Sequence, residues 1–255
     1  MRKIILECKN NDTKEDYKLA SYFQGWLLEK VGSSYATEVH LPKMNAYTLS
    51  VQNGRDSILF IVTLLDDKSR QEMGAVLLDP KLTDIAFKSG KKGKYFIQRK
   101  IVVDKTQADL TEIFYHGNSE STFRIYFQTP TSFKSEGEYV IFPDVRLLIQ
   151  SLMKKYNALF EDTEYVDVEL LDELSAATRI VSYKLVSSYY PIHRTFIPGF
   201  KGEIKIRCKG NQTLRNYLGM LLEFANFSGI GIKTSMGMGA VKTEEVKKGE
   251  YHGRK

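Results

Sequence analysis

Three consecutive apolar residues, Ile4, Ile5 and Leu6, give the opening stretch 2–9 the pattern of a buried strand. Thr13 then stands in capping position, with Asp16 three residues on. Leu19, Tyr22, Phe23, Trp26 and Leu27 follow at helical spacing, and Gly32 is placed to end that helix in a left-handed turn. A strand is predicted over 47–52. Asn53-Gly54 has the chemistry of a tight hairpin turn, and the run 57–65 returns as a strand apolar on both faces. Residues 66–78 resume a helical pattern. A fourth strand lies within 82–103, interrupted by the turn 89–93.

That order, β-α-β-β-α-β, is ferredoxin-like, and it recurs. A strand is predicted over 122–128. Pro143 can start a helix whose stripe is Val145, Leu147, Leu148, Leu152 and Leu159. Two strands follow over 179–188 and 203–208. Leu214, Leu218, Leu221, Leu222 and Ala225 mark a second helix, and 238–243 a last short strand. The reading is an α+β chain of tandem ferredoxin-like domains, 1–118 and 119–255, with the boundary near His116-Gly117-Asn118-Ser119. The repeat is one of architecture, without visible sequence identity. The competing reading is a single α+β domain with coincidental ordering.

Composition narrows the class. The chain has 255 residues, 42% hydrophobic and 27% charged, which is ordinary globular usage and excludes disorder, collagen and coiled coil as the main class. Lys and Arg number 37 against 31 Asp and Glu, a net charge of +6 that permits an anionic partner. No apolar run reaches the roughly 18 residues of a membrane span, and the N-terminal apolar stretch is too short for a signal peptide. Cys8 and Cys208 lie far apart without CxxC spacing, against a disulfide framework or a cysteine zinc site. The expectation is a soluble cytoplasmic protein.

The most specific local signal is Phe227-Ser-Gly229-Ile-Gly231-Ile-Lys233-Thr-Ser235-Met-Gly237-Met-Gly239. Glycine admits positive φ and close approach, so successive backbone N–H groups there can cradle phosphates. The segment runs from helix to strand, the reverse of a P-loop, and lacks Gly-Lys-Ser/Thr. A hairpin at the sheet surface with no ligand explains it equally. A second basic feature is Lys88, Lys91, Lys92, Lys94, Arg99 and Lys100, with Tyr95 and Phe96 among them. It suits phosphate neutralisation and base stacking, or simply a lysine-blunted sheet edge.

The duplicated order and the glycine-rich segment resemble the repeat-associated mysterious protein superfamily of CRISPR systems, and within it the stand-alone repeat-processing endoribonucleases. Three further stretches support the resemblance: Tyr22-Phe-Gln-Gly-Trp-Leu27, His40-Leu-Pro-Lys43-Met-Asn45-Ala-Tyr47-Thr48-Leu-Ser50, and Ile197-Pro-Gly-Phe-Lys-Gly202-Glu-Ile-Lys-Ile206. Two features depart from the family. Asn45 stands where a lysine often precedes the x-aromatic-Thr-x-Ser run, and the tyrosine some members carry late in the first helix is absent. Tyr22, Tyr35 and Tyr47 are all candidates to replace it.

The resemblance implies cleavage of CRISPR transcripts within each repeat, without a metal or other cofactor. The 2′-OH would attack the adjacent phosphate, leaving 2′,3′-cyclic phosphate and 5′-OH ends. Such a step needs a proton acceptor, a proton donor and positive charge near the phosphorane. His40, an imidazole titrating near neutrality in a helix-to-strand loop, is the acid–base candidate, and Lys43 the charge stabiliser. RNA contacts are expected from Gly229, Gly231, Lys233, Ser235, Gly237, Gly239, Lys91, Lys92, Lys94 and Arg194. The expected partner is CRISPR repeat RNA, with the protein a monomer or homodimer, alone or attached to an effector complex, and with no membrane. The alternatives are a non-catalytic RNA-binding subunit of an effector complex and a ferredoxin-like metabolic enzyme with a small anionic substrate.

Overall fold

The computed structural model describes residues 1–9, 17–32, 35, 46–88, 93–192 and 195–247. The first unit holds β1 (Arg2–Lys9), α1 (Ala20–Val31), β2 (Tyr47–Asn53), β3 (Ser57–Leu64), α2 (Asp67–Leu78), β4 (Asp84–Ala86) and β5 (Lys94–Asp104). Its antiparallel sheet has the order β2-β3-β1-β5-β4. Removing the short edge strand β4 leaves the ferredoxin-like arrangement, with the first strand central. One face carries Ile4, Leu6, Phe60 and Val62 into a core with Phe23, Trp26 and Leu27 of α1 and Met73 and Leu77 of α2. Asp66 caps α2, accepting from the Ser69 amide at 2.7 Å.

A helix outside the sequence reading, α3 (Gln107–His116), links the units. Its signal was present: Thr106 and Asp109 form a capping box. Leu110 is buried in the core of the second unit. Asn216 anchors the exit of α3, accepting from the Ser119 amide and donating to the carbonyls of Phe114 and Gly117. The second unit then runs β6 (Thr122–Thr131), β7 (Phe133–Ser135), β8 (Glu138–Val140), α4 (Val145–Phe160), α5 (Val168–Ala177), β9 (Thr178–Ile192), β10 (Thr195–Cys208), α6 (Gln212–Ser228) and β11 (Val241–Glu245). Its main sheet has the order β11-β6-β10-β9, again ferredoxin-like. The fold is therefore α+β with tandem ferredoxin-like units.

Several local expectations are corrected. Asp144, not Pro143, caps α4. Tyr22 of the α1 stripe is exposed. Gly32 has positive φ but an extended ψ of 160°, so it redirects the chain without a left-handed helical cap. Neither Asn53 nor Gly54 has positive φ; the Gly54 amide donates to the Ser57 carbonyl across a longer turn. The last strand starts at Val241, because Met238 is drawn into the packing of the preceding loop. Strands β9 and β10 run much longer than expected. Pro191 and Pro198 argue against strand, yet β9 is an edge, and β10 at Pro198 has extended beyond its pairing with β6, so neither proline breaks the ladder.

The two units meet along the loop after α6. Gly237 has φ +108°, and a Cβ there would lie 2.3 Å from Ala20 Cβ of α1 and 2.3 Å from the Tyr190 hydroxyl of β9. Tyr190 is fully buried, donates to the Met236 carbonyl and stacks on Tyr17 at 5.7 Å. Gly231, at φ +79°, would place a Cβ 2.3 Å from the Ser132 carbonyl oxygen. The glycine-rich segment is thus not a surface hairpin but a packed joint, with Ile230 and Met238 fully buried.

Valine at either glycine meets a strained φ and a fixed neighbour at once. Gly237→Val and Gly231→Val each lower stability by roughly 2 kcal/mol or more, or at least roughly 4 °C in melting temperature for a chain of this size. Thermal circular dichroism checks this. Gly25→Ala in α1, with open space around it, is the control and raises stability by up to about 1 kcal/mol.

Candidate functional site

His40, Lys43, Lys91, Lys92 and Arg194 lie outside the described residues, as does His193. What is described is how the flanks of the 36–45 segment are held. Tyr35 is buried, with the Lys68 ammonium 6.0 Å from its ring centre. The Ala46 carbonyl accepts from the Leu65 amide at 2.8 Å. Tyr47 is buried in the first core and its hydroxyl accepts from Gln24 at 2.9 Å; burial pushes its pKa up. Of the three tyrosines the sequence left open, Tyr22 alone is solvent-facing, 43% exposed beside Phe87.

Strand β2 leads away from that segment with alternating faces. Tyr47, Leu49 and Val51 enter the core, while Thr48, Ser50 and Gln52 face a cleft of about 400 Å³ between the units. The cleft floor is the helix-free face of the first sheet, with Lys3, Ile5, Ile61 and Thr63; its far wall is the end of α6, the glycine-rich segment and β11. Gln52 reaches Gln128 across it at 3.2 Å. Lys3 places its ammonium 4.6 Å from the centre of the Phe227 ring, and burial lowers its pKa against the opposing pull of Glu223.

The end of α6 is a dense capping site, since the last carbonyls of a helix have no partner within it. The Phe227 carbonyl accepts from Thr48 Oγ1 at 2.9 Å. The Ser228 and Gly229 carbonyls accept from the Lys155 ammonium of α4 at 3.2 and 3.1 Å. Burial pulls the Lys155 pKa down to about 7; donation to two carbonyls at the negative end of a helix works the other way. None of Lys3, Thr48 or Lys155 was singled out from the sequence. Lys155 breaks the apolar stripe of α4, and Thr48 sits in the Thr-x-Ser run, but neither signal names its partner.

The amides of the glycine-rich segment are largely committed. Gly229 donates to Ala225, Ile230 to Gly239, Ile232 to Ser132, Met238 to Lys233 and Gly239 to Pro130. Gly231 donates to Ser151 Oγ at 3.0 Å. A run of free amides cradling phosphate is therefore not what the glycines supply at those positions; they admit positive φ where backbones touch. Ser235 is buried in the short 3-10 turn Thr234–Met236. Lys233 is the exposed tip, a non-glycine residue in the left-handed region at φ 57°.

The basic feature around 88–100 is corrected in a different way. Tyr95 is a core residue and offers no stacking face, whereas Phe96 is exposed under the Lys94 ammonium at 5.0 Å. Lys88 pairs with Glu29, Lys94 with Asp84 and Arg99 with Glu7. Among the described residues, no three His, Cys, Asp or Glu side chains gather so as to hold a metal ion, and no helix is long and apolar enough to cross a membrane.

The cleft mixes apolar side chains with polar groups, of which Lys3 and Thr48 engage Phe227 and Gln52 engages Gln128. Comparison with known proteins gives the fold a family. The family model for CRISPR-associated endoribonuclease Cas6 matches residues 125–241, from β6 through the glycine-rich segment. A Cas6 endoribonuclease of Streptococcus thermophilus is 38% identical over 251 residues, 97% of this chain and 100% of the relative. One from Mycobacterium tuberculosis is 30% identical over 229 residues, 89% of this chain and 72% of the relative. A solved Cas6 product complex superposes with TM-score 0.75 at 23% identity, covering 95% of this chain and 99% of the other. With a relative of that identity matched along its whole length, the chain belongs to the Cas6 family of CRISPR-associated endoribonucleases.

Proposed function

We propose that this Cas6 protein cleaves CRISPR precursor transcripts within their repeats by a metal-independent, intramolecular transesterification. The 2′-oxygen adjacent to the scissile phosphate attacks phosphorus, its proton passes to a base, and the bond to the 5′-oxygen breaks as that oxygen gains a proton. The products are a 2′,3′-cyclic phosphate and a 5′-OH. His40 carries the proton transfer, and Lys43 neutralises charge building on the phosphorane oxygens. Repeat RNA is the partner, held by Lys233 and its neighbours in the glycine-rich segment and by Lys91, Lys92, Lys94 and Arg194. The protein acts in the cytoplasm, as a monomer or a homodimer.

The observation that carries this reading is the join between β2 and the end of α6. The strand immediately following the His40 segment packs against the glycine-rich loop, so a substrate contacting Lys233 has the exit of that segment beside it. Solved fold relatives support an RNA substrate: one is an RAMP protein binding different RNA substrates, and Cas6 relatives include a substrate-mimic complex and a histidine-to-alanine mutant. No protein nucleophile is needed, because the nucleophile belongs to the RNA; the protein supplies the proton acceptor, the proton donor and the nearby cation.

Repeat RNA incubated with the protein in EDTA is cut at one site, and the upstream fragment carries a cyclic phosphate, read by phosphatase resistance and mass. No cleavage in EDTA, restored by a divalent cation, excludes the mechanism. His40→Ala lowers the single-turnover rate about a hundredfold or more, with RNA affinity little changed; Lys43→Ala gives a smaller loss. Lys233→Ala weakens binding and reduces the slope of log affinity against log salt by about one unit, measured by titration at several salt concentrations.

A further inference from the structure

We propose that Thr48 is a positioning residue for cleavage: its hydroxyl latches β2, the strand leading out of the His40 segment, to the last turn of α6, where the glycine-rich segment begins. The inference rests on the functional reading above, because it assigns Thr48 a place in the same reaction.

The latch is built from one hydrogen bond and its surroundings. Thr48 Oγ1 donates to the Phe227 carbonyl at 2.9 Å, joining residues 179 positions apart. Phe227 is the penultimate residue of α6, so its carbonyl has no acceptor role inside the helix. The next two carbonyls are taken by Lys155, from within the same unit. The cap at Phe227 comes from the other unit. The Phe227 ring is held by a second residue of that unit, Lys3 of β1. One residue of α6 is thereby gripped by two positions of the first sheet that flank Thr63 of β3, Thr48 on its carbonyl and Lys3 on its ring face.

Strand alternation explains why position 48 can do this. Tyr47 and Leu49 are buried in the first core, so they fix the strand and leave Thr48 pointing across the cleft. The hydroxyl is already committed to Phe227 and adds little to RNA contact. Its loss frees the start of β2 to shift relative to the glycine-rich segment, and small misplacements of an acid–base group cost rate more than affinity.

The test uses the full chain with Thr48→Val, which keeps the shape and removes the donor, and Thr48→Ser, which keeps the donor. Thr48→Val lowers the single-turnover rate at saturating protein about tenfold, with RNA affinity within about twofold of the parent, while Thr48→Ser cleaves at close to the parental rate. Parental cleavage by Thr48→Val, or equal losses in both variants, overturns the proposal. A second arm does not need cleavage. Spin labels at Glu72→Cys on α2 and Glu169→Cys on α5 report the spacing of the units; Cys8 and Cys208 are buried and do not compete. The distance distribution broadens in Thr48→Val and not in Thr48→Ser; an unchanged distribution overturns the latch. A parent that fails to cut repeat RNA rejects the functional reading and the catalytic role with it, whereas the label distances judge the latch alone.

Discussion

Three carbonyl groups at the end of α6 need donors, and the way they find them organises the molecule. Phe227, Ser228 and Gly229 present their oxygens where the helix can no longer use them. An ammonium from α4 takes two of them, and a hydroxyl from the first unit takes the third. The negative end of the helix dipole also draws Lys3 toward the Phe227 ring. Satisfying one helix terminus therefore fixes the loop that follows it, the strand that faces it and the width of the cleft between them.

The glycines serve the same joint. The chain must leave α6, pass under β6 and cross α1 before entering β11, and it does so with backbone against backbone. At Gly239 a Cβ would stand 2.0 Å from the Ile230 carbonyl oxygen, and at Gly231 2.3 Å from that of Ser132. Residues with a side chain cannot approach so closely, and positive φ is strained for them even in open space. A signal usually read as a phosphate cradle is here first a packing solution. Lys233, carried at its tip, is what it offers to solvent.

The duplication is used asymmetrically. Both units have a ferredoxin-like sheet with helices on one face, the first with β4 added at its edge. The first leaves part of its other face to line the cleft, with Thr48, Ser50, Gln52, Thr63 and Lys3 among hydrophobic neighbours. The second extends β9 and β10 into a long hairpin whose turn end buries Tyr190 against the joint. Among the described residues of the 88–100 stretch, Lys88, Lys94 and Arg99 meet glutamate or aspartate partners. Such exposed pairs add little stability, yet they lower the local field that an anion would feel.

The sequence by itself determined the two βαββαβ orders, because apolar periodicity reports burial directly and each strand and helix had to bury one face. It also determined the family, through the glycine-rich segment and the Thr-x-Ser strand. Some of its errors fell where a neighbour distant in the chain overrides local chemistry, as with Tyr95 in the core instead of on a binding face and prolines tolerated in β9 and β10 by an edge; the Asn53-Gly54 error is local, a longer turn closed on Ser57. His40 and Lys43 were legible as residue types in a motif, and they fall outside the described residues. Only the tertiary structure decided that Thr48 meets Phe227, that Lys155 turns inward to cap α6, and that Gly237 is pressed against Ala20. Those contacts span up to 217 positions of chain, between Ala20 and Gly237. No local pattern encodes such a distance, since it is set by how the two sheets pack.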